Sequence, residues 1–262
     1  MNRRNQVLSK LLILAGLVLT LLPFGSHLVY RLQTKALADQ LLENEPDSEQ
    51  NYAKILDDAR LWNEQLGRAA GEIDEEDEAY LDQLCFYGDG IMGLISIDRI
   101  DLRVPIYHGC SDRVLSKGAG HVASSALPIG TTGGRPLIAA HSGSANAELF
   151  TRLDELEIGD WFSIENPMDT LDYQIIEIEV VEPEQTDHLV PVQGEDLLTL
   201  VTCTPYGINS HRLLLTGKRG IRPKEDFAKP KWTLRKGLKA GLLIVMFGLG
   251  MFELIQLVRK RK

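Results

Sequence analysis

The hydrophobic rhythm of the chain changes along its length, and each change marks a different kind of element. Residues 11–22 are almost continuously apolar and follow Arg3, Arg4 and Lys10. Residues 30–43 read as a polar helix, which Pro46 interrupts. Tyr52, Ile55, Leu56, Ala59, Trp62 and Leu66 then recur at helical spacing and share one face. Asp47 or Ser48 supplies the N-cap of this helix, and Gly67 stands where a C-terminal cap belongs. The apolar face predicts packing against the domain that follows. Residues 72–78 are acidic and read as a solvated loop or helix start.

From Ile91 the pattern shortens. Apolar runs fall at 91–97, 102–107, 120–123, 137–141, 161–165, 173–181, 197–202 and 212–217, with Gly- and Pro-bearing turns between them. Short strands at such spacing predict a mainly β domain, a barrel or a sandwich. Residues 149–156 read as a short helix. The chain shows no internal repeat and no Gly-rich phosphate loop. Residues 240–258 form a second apolar run, broken by Glu253 and Gln256 and followed by Arg259-Lys260-Arg261-Lys262.

Both terminal runs approach the ~20 residues that span a bilayer. The first reads as a retained signal anchor rather than a cleaved peptide, since Pro23-Phe24-Gly25-Ser26-His27 offers a poor cleavage site. Basic residues at both ends predict two cytoplasmic termini, although Lys229, Lys231, Arg235, Lys236 and Lys239 crowd the other side of the second run. The expected location is the cell membrane, with the middle of the chain outside the cell. Residues 1–32 would hold the anchor, 33–90 an extracellular helical segment, 91–220 the β domain, and 221–262 a linker, second span and basic tail.

Charge sharpens this picture. Of 28 basic and 37 acidic residues, three basic ones lie in the first ten positions, and nine basic and one acidic lie from Lys229 onward. The stretch between therefore holds 16 basic and 36 acidic residues. So acidic a surface repels phosphate backbones, which argues against a nucleic-acid partner. It is most simply a solvated face, and it would also attract a Lys-bearing partner. Three cysteines make no disulfide scaffold. Cys85 and Cys110 are either a pair formed in an oxidising exterior or two unpaired small residues.

The third cysteine carries the candidate chemistry. Cys203 ends one apolar run, Arg212 opens the next, and a Pro-Tyr-Gly-Ile-Asn turn joins them. A lone thiol is most often a buried structural residue. A fixed positive charge beside it favours the reactive thiolate. His141 ends another apolar run, so three strand ends can bring Cys203, His141 and Arg212 together. Such a set supplies a nucleophile, a proton carrier and a stabiliser of negative charge.

The other histidines fit less well. His211 precedes Arg212, and neighbours on a strand point to opposite faces. His121 and His108 read as structural, His27 lies near the membrane and His188 in a loop. No spacing resembles a zinc motif, and this chemistry needs no metal or cofactor. A papain-like protease would place its Cys before its His, the reverse of this chain. A membrane-anchored surface scaffold with an inert Cys is the non-enzymatic alternative.

The stretch from Thr199-Leu200-Val201-Thr202-Cys203 to Arg212 resembles the signature of sortases, the cell-surface transpeptidases of Gram-positive bacteria. The resemblance is to class C, the pilus-assembling sortases. Upstream it includes Gly90-Ile91-Met92-Gly93, Pro105-Ile106-Tyr107-His108-Gly109, Gly118-Ala119-Gly120-His121 and Leu127-Pro128-Ile129-Gly130. Ala140-His141-Ser142-Gly143 and Leu149-Phe150-Thr151-Arg152-Leu153 complete it over residues 88–219. It implies a closed eight-stranded β-barrel with short helices, flanked by two transmembrane helices. It assigns Cys203 as nucleophile, His141 as acid–base and Arg212 as stabiliser. It implies a Leu-Pro-x-Thr-Gly-type sorting signal, cut between Thr and Gly, and a Lys amine of a pilin as acceptor. A housekeeping-type sortase using a cell-wall amine is the alternative.

One feature departs from the family. Class C members usually carry an Asp-Pro-aromatic lid motif upstream of the barrel, yet no Pro occurs between Pro46 and Pro105. Residues 71–82 are acidic, with Tyr80 as their only aromatic. Covering a thiolate with carboxylates would add repulsion and desolvation cost. The expectation is that no lid of the usual kind plugs Cys203 and that this segment is mobile. The alternative is an aromatic cover from Tyr80 or from Phe86-Tyr87.

Overall fold

A computed structural model of the chain describes residues 49–66, 73–87, 90–143, 147–185 and 189–224, with 15–16, 29–30, 32–34 and 36–37. The strands are β1 (Ile91–Ile97), β2 (Leu102–His108), β3 (Ala119–His121), β4 (Leu137–Ala139), β5 (Trp161–Glu165), β6 (Thr170–Val181), β7 (Leu197–Thr204) and β8 (His211–Arg219). They close a barrel in the order β1-β2-β3-β4-β7-β8-β6-β5. The β2–β3 and β4–β7 pairs are parallel and the rest antiparallel.

Each expected run is a strand. β7 and β8 run further than their apolar stretches, because they keep pairing as far as Thr204 and His211. β4 is shorter than expected and stops at Ala139, so His141 lies two residues beyond it.

The interior is built by alternation. Leu198 and Leu200 of β7 and Leu213 and Leu215 of β8 enter the same apolar core as Ile95, Ile106 and Ile138. Phe162 and Tyr173 stack inside with ring centroids 5.5 Å apart. Gly217 makes room for them, since a Cβ there would sit 2.5 Å from the Phe162 ring. Burying one such ring contributes about 1.5–3 kcal/mol.

Helix α1 (Glu49–Leu66) lies on the barrel as its periodicity predicts. Tyr52 and Ala59 are buried, and Ile55, Leu56 and Trp62 pack against the core. Asn63 completes the docking through both ends of its amide. Its Nδ2 donates to the Leu127 carbonyl at 3.1 Å, and the Leu127 N–H donates to its Oδ1 at 2.7 Å.

The acidic stretch corrects an expectation. Residues 73–82 are docked on the barrel rather than mobile. Asp77 caps the short helix α2 (Glu78–Leu81) by accepting the Ala79 N–H at 2.9 Å. Tyr80 of α2 is fully buried. Glu75 accepts the Cys110 N–H at 2.8 Å. One buried aromatic and one well-placed carboxylate outweigh the solvation of the remaining acids, which point outward.

The remaining helices are short: a 3-10 turn η1 (Asp98–Ile100), α3 (Asp112–Leu115) and η2 (Leu149–Glu155). The helix expected at 149–156 is thus a 3-10 element. Among the described residues no helix is long and apolar enough to cross a membrane. The two expected spans lie outside the described residues, Ala15 and Gly16 excepted. The expected N-cap at Asp47 or Ser48, Gly67, His27, His188 and the basic segment from Lys229 onward also lie outside them.

Candidate active site

β7 and β8 hold the first two candidates in direct register. Cys203 pairs with Arg212 across the ladder. Opposed residues on an antiparallel pair share a face, with Cβ atoms about 4.5–5.5 Å apart. Leu200 and Leu213 point into the core, so alternation turns Cys203 and Arg212 to the outer face of the wall. Both are half-buried. Cys203 is a free thiol, as are Cys85 and Cys110, so no pair forms between the latter two.

The turn between the strands sets Arg212. The Ile208 and Asn209 N–H groups both donate to the Pro205 carbonyl, at 3.0 and 2.9 Å. Arg212 Nη1 donates to the His211 carbonyl at 3.3 Å and, at 3.5 Å, to that of Asn209. Among the described residues no carboxylate forms a salt bridge with Arg212. Its charge therefore stays available to a developing oxyanion or a substrate carbonyl.

β4 brings His141 alongside. It pairs in parallel with β7, Ala139 opposite Val201, so the chain beyond β4 runs beside Cys203. The Ala140 N–H donates to the Val201 carbonyl at 3.1 Å, and Thr202 Oγ1 donates to the Ala140 carbonyl at 2.8 Å. The Phe150 N–H of η2 donates to the His141 carbonyl at 3.2 Å. The Gly143 N–H donates to Thr151 Oγ1 at 2.9 Å. Arg152 anchors η2 in turn, through a bidentate grip on Glu155 at 2.9 and 2.7 Å and a bond to the Ile100 carbonyl at 2.6 Å. His141 is half-buried, and among the described residues no hydrogen bond occupies its ring.

The three sequence candidates thus lie toward the same end of three adjacent strands, with His141 two residues past the end of β4. Thr202, Phe150 and Thr151 hold the His141 loop and were not singled out individually from the sequence. A Thr or Phe in an apolar run gives no sign of its bonding partner, which belongs to another strand or turn.

The other histidines are occupied. His121 is fully buried, its Nε2 2.8 Å from the Ala126 carbonyl and its Nδ1 3.0 Å from the Tyr80 hydroxyl. Burial pushes its pKa down to about 4. His108 faces two carbonyls, Nδ1 at 3.1 Å from Gly90 and Nε2 at 2.6 Å from Gln83, and burial lowers its pKa. Burial, and secondarily Glu75, pushes the Cys110 thiol up to about 12, so it is no nucleophile. Tyr80 packs edge-on against His108 at 5.2 Å and lies against His121 at 5.9 Å. These contacts lie on the His108–His121 side of the fold, and among the described residues no hydrogen bond joins Tyr80 to Cys203.

A half-buried thiol, an imidazole with no ring hydrogen bond and a guanidinium with no ion-pair partner among the described residues together can form and resolve a thioester. Comparison with known proteins gives the same direction. A family model described as Sortase domain matches residues 95–220. A crystal structure of sortase C-1 from Actinomyces oris is 38% identical, with a TM-score of 0.61, covering 66% of this chain and 99% of that one. Sortase C1 from Streptococcus agalactiae is 35% identical, with a TM-score of 0.66, covering 73% and 99%. Sortase A of Bacillus anthracis is 26% identical over 148 residues, 56% of this chain and 69% of that protein.

Proposed function

Because this chain belongs to the sortase family of cysteine transpeptidases, we propose that it cuts a Leu-Pro-x-Thr-Gly-type sorting signal between Thr and Gly and joins the product to a Lys amine of a pilin subunit. The observation that carries this reading is the Cys203–Arg212 register beside the strand that leads to His141.

In this mechanism Cys203 Sγ attacks the Thr carbonyl carbon. Arg212 stabilises the oxyanion of the tetrahedral intermediate. The Thr–Gly C–N bond breaks as His141 gives its proton to the departing Gly amine. The thioester then holds the acyl half on Cys203. A Lys amine attacks it, His141 takes the amine's proton, the new amide forms and the Cys203 sulfur is released. Each proton given in the first half is recovered in the second.

The pilin acceptor is supported by the likeness to the sortase C structures and by the Thr-Pro-Tyr-Gly-Ile-Asn-Ser-His-Arg stretch. An acidic ectodomain surface also suits a Lys-bearing partner. In this reading residues 11–22 and 240–258 cross the membrane and leave the barrel outside the cell. Protease treatment of intact protoplasts then digests the barrel and spares a tag at Lys262. Loss of that tag removes the second span.

The activity is tested by intact-mass analysis of the chain with a Leu-Pro-x-Thr-Gly-type peptide. An acyl adduct on Cys203, transferred to a pilin domain bearing Lys, supports the reading. Transfer only to a cell-wall peptide amine would make it a housekeeping-type enzyme. Unimpaired function of Cys203→Ala in cells would point to a scaffold.

A further inference from the structure

Tyr206 is 58% exposed in the turn that links Cys203 to Arg212. A ring so exposed adds little burial energy, so stability does not account for its placement. What it touches is the His141 loop. Its Cε2, Cδ2 and Cζ atoms lie 3.2, 3.5 and 3.6 Å from where a Cβ on Gly143 would be. Gly143 has φ +80°, and without a side chain it lets the ring lie directly on the backbone two residues from His141.

We infer that Tyr206 is a positioning residue, which holds the His141 loop against the hairpin that carries Cys203 and Arg212; the inference rests on the catalytic reading of those three residues. The loop is gripped from two sides. On one, η2 holds the His141 carbonyl and the Gly143 N–H through Phe150 and Thr151. On the other, the hairpin places the Tyr206 ring over Gly143. The turn beneath the ring is closed by the two bonds to the Pro205 carbonyl. A displacement of Tyr206 is therefore transmitted to Asn209, whose carbonyl Arg212 Nη1 faces. The ring thus couples the proton carrier to the nucleophile and the cation. The contact is through ring carbons, so the hydroxyl is dispensable.

The test uses the full chain in detergent micelles, with a quenched fluorescent Leu-Pro-x-Thr-Gly-type peptide and an amine acceptor. Tyr206→Phe should keep kcat within about twofold. Tyr206→Ala should lower kcat by about 10- to 100-fold, the scale of a misplaced catalytic group, with KM and melting temperature nearly unchanged. Wild-type kcat in Tyr206→Ala would overturn the inference. So would a loss confined to KM, which would make the ring a substrate contact. A loss shared equally by Tyr206→Phe would also overturn it, since the hydroxyl would then be the active group. A wild-type chain that forms no acyl-enzyme on Cys203 overturns the parent reading and this inference together, and so is distinguishable from failure of the inference alone.

Discussion

His121 and His141 follow similar sequence contexts, each after a Gly or Ala beside an apolar run, yet the structure treats them in opposite ways. His121 sits at the end of β3 with both ring nitrogens within hydrogen-bonding distance of partners and no exposure. His141 sits just past β4, half-buried, its backbone held at Ala140, His141 and Gly143 while no hydrogen bond from the described residues occupies its ring. The first arrangement spends the imidazole on cohesion. The second uses the backbone for cohesion and leaves the imidazole to the proton transfer that the proposed mechanism asks of it. A buried polar group must be satisfied, whereas a proton carrier needs a ring nitrogen that can reach the reacting group.

The largest effect that would break this contrast comes from deleting the groups themselves. Cys203→Ala should abolish acyl-enzyme formation, and His141→Ala should cost about 10²–10⁴-fold in rate. Both should melt within about 2 °C of wild type. The contrast fails if His141→Ala stays active while a folded His121→Ala does not. Arg212→Lys keeps the charge but loses the planar fork. It should cost about 10²-fold in kcat, the scale of a lost oxyanion donor. Steady-state kinetics at wild-type levels would remove Arg212 from the site.

The next test is thermodynamic. His121 has its pKa held near 4 by burial, against the ordinary 6.5. Below pH 6.5 the unfolded state binds a proton that the folded state refuses until about pH 4. Its contribution is therefore fully present above pH 6.5 and is lost as pH falls through that window, by about 3 kcal/mol. Urea denaturation at pH 7 and pH 4.5 should show this fall in wild type and a smaller one in His121→Gln. Equal falls would mean His121 already titrates normally.

The smallest expected effect concerns the hydroxyl that ties the acidic segment down. Tyr80→Phe removes the group that accepts the Gly109 N–H at 2.9 Å and meets His121 Nδ1. It should cost about 1–3 kcal/mol in chemical denaturation, with kcat unchanged in the folded protein. A kcat loss at unchanged stability would mean that this segment reaches the active site after all.

Much of this was legible in the residues. Short apolar runs bounded by Gly- and Pro-bearing turns located all eight strands, because strands buried on both faces read as near-continuous apolar stretches of a few residues. The spacing of Tyr52, Ile55, Ala59 and Trp62 located α1 for the corresponding helical reason. Cys203 and Arg212 could be placed together because the turn between them is short, and a short turn between strands forces antiparallel pairing.

Other features depended on partners far away in sequence. The reading of residues 71–82 as mobile weighed their charges and missed that Tyr80 has a place between His108 and His121. The docking of Glu75 at Cys110, of Asn63 at Leu127 and of Tyr206 at Gly143 belongs to the same class. Local pattern determined which stretches become strands and helices, and which residue types sit at their ends, since those follow from periodicity and turn chemistry within a few residues. The tertiary structure decided which histidine is spent and which is kept, since that depends on hydrogen-bond partners supplied by elements tens of residues distant.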